Sequence, residues 1–154
     1  MKTKVLVPID GTGLSELVPA ALSVQMRPED TEILILQVLE PAAYSTPAET
    51  TAGTGYKVAR YRKGAKIRAA ENLDAAVEAL LKHGLKAETR LVECETQEGI
   101  LEAAAEWGAN LIMVASHARK GVARFLHASV AEGIIHRAPC SVLVLKETVE
   151  KAAA

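Results

Sequence analysis

Groups that bind anions follow one another between residues 111 and 137. The apolar run at 111–114 predicts a buried parallel strand. The polar loop behind it carries three cations, Arg119, Lys120 and Arg124. Ser129 and Glu132 have the spacing of a capping box, which predicts that Ser129 caps a helix. A helix start offers unpaired N–H groups and partial positive charge, so this stretch predicts a site for phosphate or a nucleotide. The alternative is an exposed loop whose cations are only solvated.

Four strand–helix pairs and a closing strand are predicted around this stretch. The strands are expected at Val5–Ile9, Ile33–Leu39, Ala87–Cys94, Leu111–Ala115 and Ser141–Leu145. The helices are expected from near Ser15 to Gln25, at Val58–His83, from Thr96 or Gln97 to Trp107, and at Val130–Arg137. This alternation predicts a single-domain α/β fold, a five-stranded parallel sheet with helices on both faces. Residues 1–147 form the domain, and residues 148–154 a loose tail.

Ligands of such sheets bind beyond the carboxyl ends of the strands, where the strand order reverses. With the order 3-2-1-4-5, the ends of the first and fourth strands are neighbours. That order brings Pro8 and Asp10, at the end of the first strand, beside Ala115. Since proline has no N–H to donate, Pro8 is expected to mark the end of its strand.

The long helix has an apolar stripe and a basic beginning. The predicted stripe consists of Ile67, Ala70, Leu73, Ala76, Val77, Leu80 and Leu81, with Gly84 ending the helix. Its first turns carry six cations, Lys57, Arg60, Arg62, Lys63, Lys66 and Arg68. They form either a solvated face or a surface for an anionic partner. Residues 41–56, which precede the helix, are predicted to be a surface loop, either a connector or a lid over a ligand.

Composition excludes several classes of protein. The formal net charge is −1 and no long basic face is present, so nucleic acid is not an expected partner. No apolar stretch approaches the roughly 20 residues of a membrane helix, and no signal peptide is visible at the start. Cys94 and Cys140 match no metal or redox spacing and are interpreted as buried free thiols of a cytoplasmic protein.

The chain resembles the universal stress protein family over nearly its whole length. The resemblance rests on residues 5–11, on residues 110–117, and on residues 129–132 leading into 138–144. It implies a Rossmann-like fold of the adenine nucleotide alpha hydrolase-like kind, with the strand order 3-2-1-4-5. It also implies a homodimer formed by antiparallel pairing of the last strands, here Ser141–Leu145. That strand would otherwise be an exposed apolar edge.

The resemblance also implies roles for the residues that match the ATP-binding members. Pro8 and Asp10 would meet the adenosine end of the nucleotide, and Val38 would pack on the base. Ser129 and Val130 would donate to phosphate, with Arg119 nearby. Members of the family that bind ATP carry a glycine, two residues, a glycine, nine residues, and then Gly-Ser or Gly-Thr. At this spacing the chain has Ala115, Ala118 and Ala128-Ser129, so alanine replaces all three glycines.

These alanines decide whether the ATP binding of the related family members can also be expected of this chain. Glycine serves such loops by allowing a positive φ and by letting the backbone approach a ligand closely. Where left-handed geometry is needed, alanine costs about 1–2 kcal/mol. The prediction is therefore a small cytoplasmic stress-response protein, a dimer without tight ATP binding and with no expected cofactor.

Two alternatives differ in kind from this prediction. The first is a nucleotide-dependent switch, which binds ATP, with or without Mg²⁺, or another adenine nucleotide. The second is an enzyme. None of His83, His117, His127 and His136 has an evident Ser or Cys nucleophile arranged with it, and no carboxylate pair has a metal-binding spacing. Fold alone does not license a reaction, so the chain is expected to be non-catalytic, with no metal site.

Overall fold

The computed structural model describes residues 1–41, 55–116 and 128–146. For residues 55–58 and 128 it describes the backbone and not the side chains. The strands are β1 (Thr3–Ile9), β2 (Thr31–Leu39), β3 (Ala87–Glu93), β4 (Leu111–Ser116) and β5 (Ser141–Lys146). The helices are α1 (Leu17–Gln25), α2 (Gly55–Leu81), α3 (Thr96–Trp107) and α4 (Ala128–Arg137), with a short 3₁₀ helix at Pro28–Asp30. The strands form one sheet in the order β3-β2-β1-β4-β5, with every neighbouring pair parallel. The predicted fold class and strand order are confirmed.

Both faces of the sheet are covered by helices. Val5, Val7 and Ile35 pack with residues of α1 and α2, whereas Leu6, Leu34 and Ile112 pack with residues of α3 and α4. Alternate residues of a strand point to opposite faces, so two apolar layers explain why the central strands are apolar runs. The two layers meet only through the sheet.

A glycine marks the end of each of two helices, α2 and α3. Gly84 has φ +73° after α2, and the Leu85 N–H donates to the Leu80 carbonyl at 3.0 Å. Gly108 closes α3 in the same left-handed conformation, with φ +72°. These backbone bonds satisfy carbonyls that the last helical turn leaves open, as in a Schellman motif.

The long helix corrects one part of the predicted core. It spans Gly55–Leu81 rather than Val58–His83, and its buried residues are Ala69, Leu73, Ala76 and Leu80. Three residues of the predicted stripe are instead exposed, Ile67 (51%), Leu81 (51%) and Ala70. The apolar pattern allowed a wide stripe, whereas only the residues that face the sheet are buried.

Smaller boundaries also differ from the predictions. β1 continues one residue past Pro8, and α1 begins at Leu17 rather than near Ser15. α2 begins at Gly55, inside the predicted loop of residues 41–56, and residues 42–54 lie outside the described part. No helix among the described residues is long and apolar enough to cross a bilayer.

Candidate functional site

The sheet opens between β1 and β4 at its carboxyl end. The β1–β4 ladder joins Val5 to Leu111 and Leu6 to Ile112, and it contains no further pair. Yet β1 runs on to Ile9 and β4 to Ser116. The strand order also reverses between these two strands, because the chain builds β2 and β3 on one side of β1 and β4 and β5 on the other. This opening, called here the switch-point crevice, is where a parallel α/β sheet binds its ligands.

Asp10 stands at the edge of the switch-point crevice in a tight turn. Its Oδ1 accepts from the Thr12 N–H at 2.8 Å and from the Thr12 hydroxyl at 2.6 Å. Its carbonyl accepts from the Gly13 N–H at 3.0 Å, and Gly13 has φ +89°. These bonds fix the turn, so the carboxylate is held at the end of β1. Residues 10–13 therefore form a turn directly after β1.

Val38 lies beside Asp10 because of the strand register. Ile9 pairs with Gln37, so the next residues of the two strands, Asp10 and Val38, come level with each other. Val38 is partly buried and packs against the layer formed with α3 and α4. The structure thus brings together Pro8, Asp10 and Val38, the residues predicted to meet the adenosine end.

Gly99 of α3 provides the surface on which Val38 rests. A Cβ at this position would lie 2.8 Å from Cys94 Sγ and 2.9 Å from Val38 Cγ2. These neighbours are short side chains that cannot swing away. A larger residue at Gly99 would therefore push on the valine predicted to touch the base.

Gly99→Ala is expected to lower the free energy of unfolding by about 1–2 kcal/mol. Overpacking costs about 1–3 kcal/mol, and replacing a helical glycine returns about 0.5–1 kcal/mol. Urea denaturation measures the net change. Gly64→Ala in α2 is the matched control, since its only near neighbour is the flexible end of Arg68, with Nη1 at 3.4 Å. It should stabilise the protein, and an equal gain from Gly99→Ala would contradict the prediction.

On the other side of the crevice, the structure describes only part of the predicted loop. Ala115 lies in β4, paired with Leu145, and its methyl group is buried (6% exposed) in the layer with α1 and α2. Ala118 and Arg119 lie outside the described residues. Ala115 therefore serves the core, whatever its neighbours in sequence do.

The beginning of α4 corrects the predicted cap. The helix starts at Ala128, so Ser129 is its second residue and not the residue that caps it. Ser129 is exposed, and Val130 is partly buried against the α3–α4 layer. No non-glycine residue of the described part has a positive φ, so neither Ala115 nor Ala128 is strained in the left-handed region. The spacing of a capping box cannot distinguish these starts, because boundaries drawn from patterns shift by one or two residues.

The amino end of α3 is already occupied by carboxylates. Glu95 accepts from the N–H groups of Gln97 (3.1 Å) and Glu98 (2.8 Å). Glu40, just beyond β2, accepts from the Thr96 N–H at 3.1 Å and from its hydroxyl at 2.6 Å. A phosphate would have to displace these carboxylates, so α3 offers no anion site.

Sequence reasoning missed the contacts that hold α2 over the carboxyl edge. The Asn72 side-chain N–H donates to the Gly11 carbonyl at 3.3 Å. Arg62 Nε and Lys66 Nζ lie 2.9 and 2.7 Å from the Glu93 carboxylate at the end of β3. The hydrogen bond from Arg62, followed by that from Lys66, lowers the pKa of Glu93. Cations spaced four residues apart were visible in the sequence, but their carboxylate partner lies 31 residues after Arg62.

Gln37 was also missed as a polar residue inside the sheet. It is 3% exposed, and no described group donates a hydrogen bond to its Oε1. In the structure Gln37 pairs with Ile9 of β1. In the sequence it follows four apolar residues of β2, and a polar residue at the end of such a run was the signal that could have pointed to it. A buried acceptor without a donor costs free energy, and functional sites are common places for one.

The two thiols are free and only partly buried, which corrects the prediction that they are buried. Burial raises the pKa of Cys94, and the carboxylates of Glu102, Glu95, Glu98 and Glu40 raise it further. Burial likewise raises the pKa of Cys140, which a backbone hydrogen bond from Ile112 partly offsets. Both thiols are therefore held in the neutral, unreactive form near pH 7. The described residues contain no cluster of three side chains suited to a metal.

The fold and the switch-point crevice define a Rossmann-like α/β protein. Residues 1–146 match the model of the universal stress protein family. A putative universal stress protein of Staphylococcus aureus (strain USA300) is 32% identical over 148 residues, covering 92% of this chain and 82% of that protein. The chain belongs to the universal stress protein family.

Solved structures share the fold at low identity. The universal stress protein from Archaeoglobus fulgidus in complex with dAMP has a TM-score of 0.63 at 21% identity, covering 94% of this chain and 98% of that one. A family protein from Arabidopsis thaliana with AMP bound has a TM-score of 0.65 at 16% identity, covering 99% and 96%. Both neighbours therefore hold adenine nucleotides on the architecture described above.

Proposed function

We propose that this chain is a non-catalytic, cytoplasmic universal stress protein that works as a homodimer and binds adenine nucleotides weakly. The switch-point crevice carries the proposal, since it places Pro8, Asp10 and Val38 at one edge where the ladder between β1 and β4 has stopped. The dAMP and AMP complexes of the two neighbours support an adenine nucleotide as the ligand.

In this proposal the two ends of the nucleotide are held unequally. Asp10 and Val38 meet the adenosine end, as in the ATP-binding members that the chain resembles. At the phosphate end, Ala118 and Ala128 replace glycines that approach the ligand, whereas the methyl group of Ala115, the third replacement, is buried in the core. Arg119, Ser129 and Val130 remain as contacts. The weak phosphate end keeps ATP, with or without Mg²⁺, from binding tightly.

Titration calorimetry of nucleotide-stripped protein with AMP and with ATP plus Mg²⁺ tests this proposal. Weak binding, with dissociation constants above about 0.1 mM, is expected. Micromolar or tighter binding of ATP would replace the proposal with the second candidate, a nucleotide-dependent switch, which the nucleotide-bound neighbours favour. Absence of binding at millimolar concentrations of either nucleotide would reject a nucleotide role for the unmodified chain.

The proposed dimer forms through the outer edge of β5. In β5, Val142, Leu143, Val144 and Leu145 are all only partly buried in a single chain. An apolar edge strand left open is prone to pair with another strand. A second copy that pairs with Ser141–Leu145 would cover both the apolar side chains and the open backbone groups.

Val144→Lys is expected to convert the dimer into a monomer, as measured by light scattering of the eluted protein. Val92→Lys is the matched control, because Val92 lies on the opposite edge strand β3 and is partly buried against the same layer. Both substitutions place a charge in similar surroundings, but only Val144→Lys should change the mass. Two monomeric variants, or two dimeric ones, would contradict dimerisation through β5.

A further inference from the structure

The first turns of α2 stand at the carboxyl edge of the sheet. The helix connects two parallel neighbouring strands, so it must run back from the carboxyl end of β2 to the start of β3. Its two sides are fixed by the contacts described above. Asn72 touches Gly11 of the turn after β1, and Arg62 and Lys66 touch Glu93 at the end of β3.

Helical periodicity then determines which side chains face the turn after β1. At 100° per residue, Arg68 and Tyr61 fall within about 40° of the direction of Asn72. Arg68 is one turn, or about 6 Å, closer to the start of the helix than Asn72. Lys63 points about 180° away from Asn72, toward solvent. Of the described cations of α2, Arg68 is therefore the one on the side of Asp10.

The side chain of Arg68 lies on the exposed surface of α2. No hydrogen bond or ion pair connects it with another residue of the described ranges. Its Nη1 would lie 3.4 Å from a Cβ at Gly64, so the guanidinium lies back along the helix, over the glycine one turn earlier. By contrast, Arg62 and Lys66 are paired with a carboxylate. The guanidinium thus lies at the level of the carboxyl edge with its donors available.

We infer that Arg68 binds the phosphate of a nucleotide held in the switch-point crevice, an inference that depends on the proposed function. Asp10 meets the adenosine end, but its negative charge also repels the phosphate attached to that adenosine, and a cation facing the same turn offsets this repulsion. Guanidinium groups form strong charge-assisted hydrogen bonds with phosphate oxygens. Arg68 therefore favours a nucleotide over its nucleoside, and α2 adds a third wall to a site otherwise built on strand ends and α4.

The test compares Arg68→Gln with Lys63→Gln, which removes the same charge from the opposite side of the same helix. Calorimetry with AMP should show binding weakened about three- to tenfold by Arg68→Gln and less than twofold by Lys63→Gln. Adenosine, which lacks the phosphate, should bind both variants within twofold of the parent. Equal effects of the two variants on AMP would overturn the inference, as would an equal loss of AMP and adenosine with Arg68→Gln.

The same comparison separates this inference from the proposed function. If the parent binds AMP too weakly to measure, Ala118→Gly/Ala128→Gly serves as the host for both charge substitutions. Absence of AMP binding to that host as well would reject the nucleotide site and this inference together. Binding to the host without any difference between the two charge variants would reject only the role of Arg68.

Discussion

Leu80→Ala is expected to lower the free energy of unfolding by about 2–5 kcal/mol, the range for deleting a fully buried leucine. Leu80 is 0% exposed and packs in the layer between α2 and the sheet. It also lies against the end of the helix, where the Leu85 N–H donates to its carbonyl. For a domain of this length the melting temperature should fall by about 5–15 °C.

Leu81→Ala is the control for this substitution. The two residues are neighbours in one helix, yet Leu81 is 51% exposed. Its removal should change the free energy of unfolding by less than about 1 kcal/mol. Urea denaturation of both variants would measure the difference. Similar losses would mean that α2 is rotated relative to the orientation described here.

Ala118→Gly/Ala128→Gly is expected to tighten the binding of ATP by about tenfold to a thousandfold, or 1.4 to 4 kcal/mol. The resemblance implies that the ATP-binding members have glycines at these two positions. There the backbone comes close to the ribose and the phosphates. A methyl group there would occupy space that the ligand needs. The α-helical backbone of Ala128 involves no left-handed strain, so the gain would come from removing the methyl groups.

Ala115→Gly is the control that shows whether any added glycine, and not only one at the ligand, raises the affinity for ATP. The Ala115 methyl group is buried in the core layer with Val7 and Ile9, so its loss should destabilise the protein by about 1 kcal/mol. Its effect on ATP binding should stay within about threefold. Calorimetry of the single, double and triple variants would establish the pattern. An affinity gained from Ala115→Gly alone, or none from the double variant, would contradict the prediction.

The sequence was sufficient for the architecture because the central strands are buried on both faces. Val5–Ile9 is a continuous apolar run, and Gln37 is the one polar residue of Ile33–Leu39, so both strands predicted a parallel sheet covered on both sides. The left-handed glycines Gly84 and Gly108 fixed two helix ends for an equally local reason. Together with the resemblance to a family, these patterns also predicted the strand order.

The finer features depend on contacts between distant parts of the chain. Periodicity placed Ile67 and Leu81 on the apolar side of α2, but contact with the sheet decides how wide a stripe is buried. The pairing of Arg62 and Lys66 with Glu93 joins a helix to a strand that periodicity alone cannot align. The predicted roles of Ala118 and Arg119 lie outside the described residues and remain predictions.

The two-residue ladder between β1 and β4 divides the hydrogen bonding of the sheet into two panels, β3-β2-β1 and β4-β5. One panel carries Asp10 and Val38, and the other carries β5 with its open edge. A small molecule that touched both panels would add contacts across this short ladder. Any resulting change in the affinity of the open edge for a second chain would be reciprocal, so the second chain would change the affinity for the small molecule by the same factor. The shortest ladder in the sheet therefore stands between the two surfaces through which this protein is proposed to act.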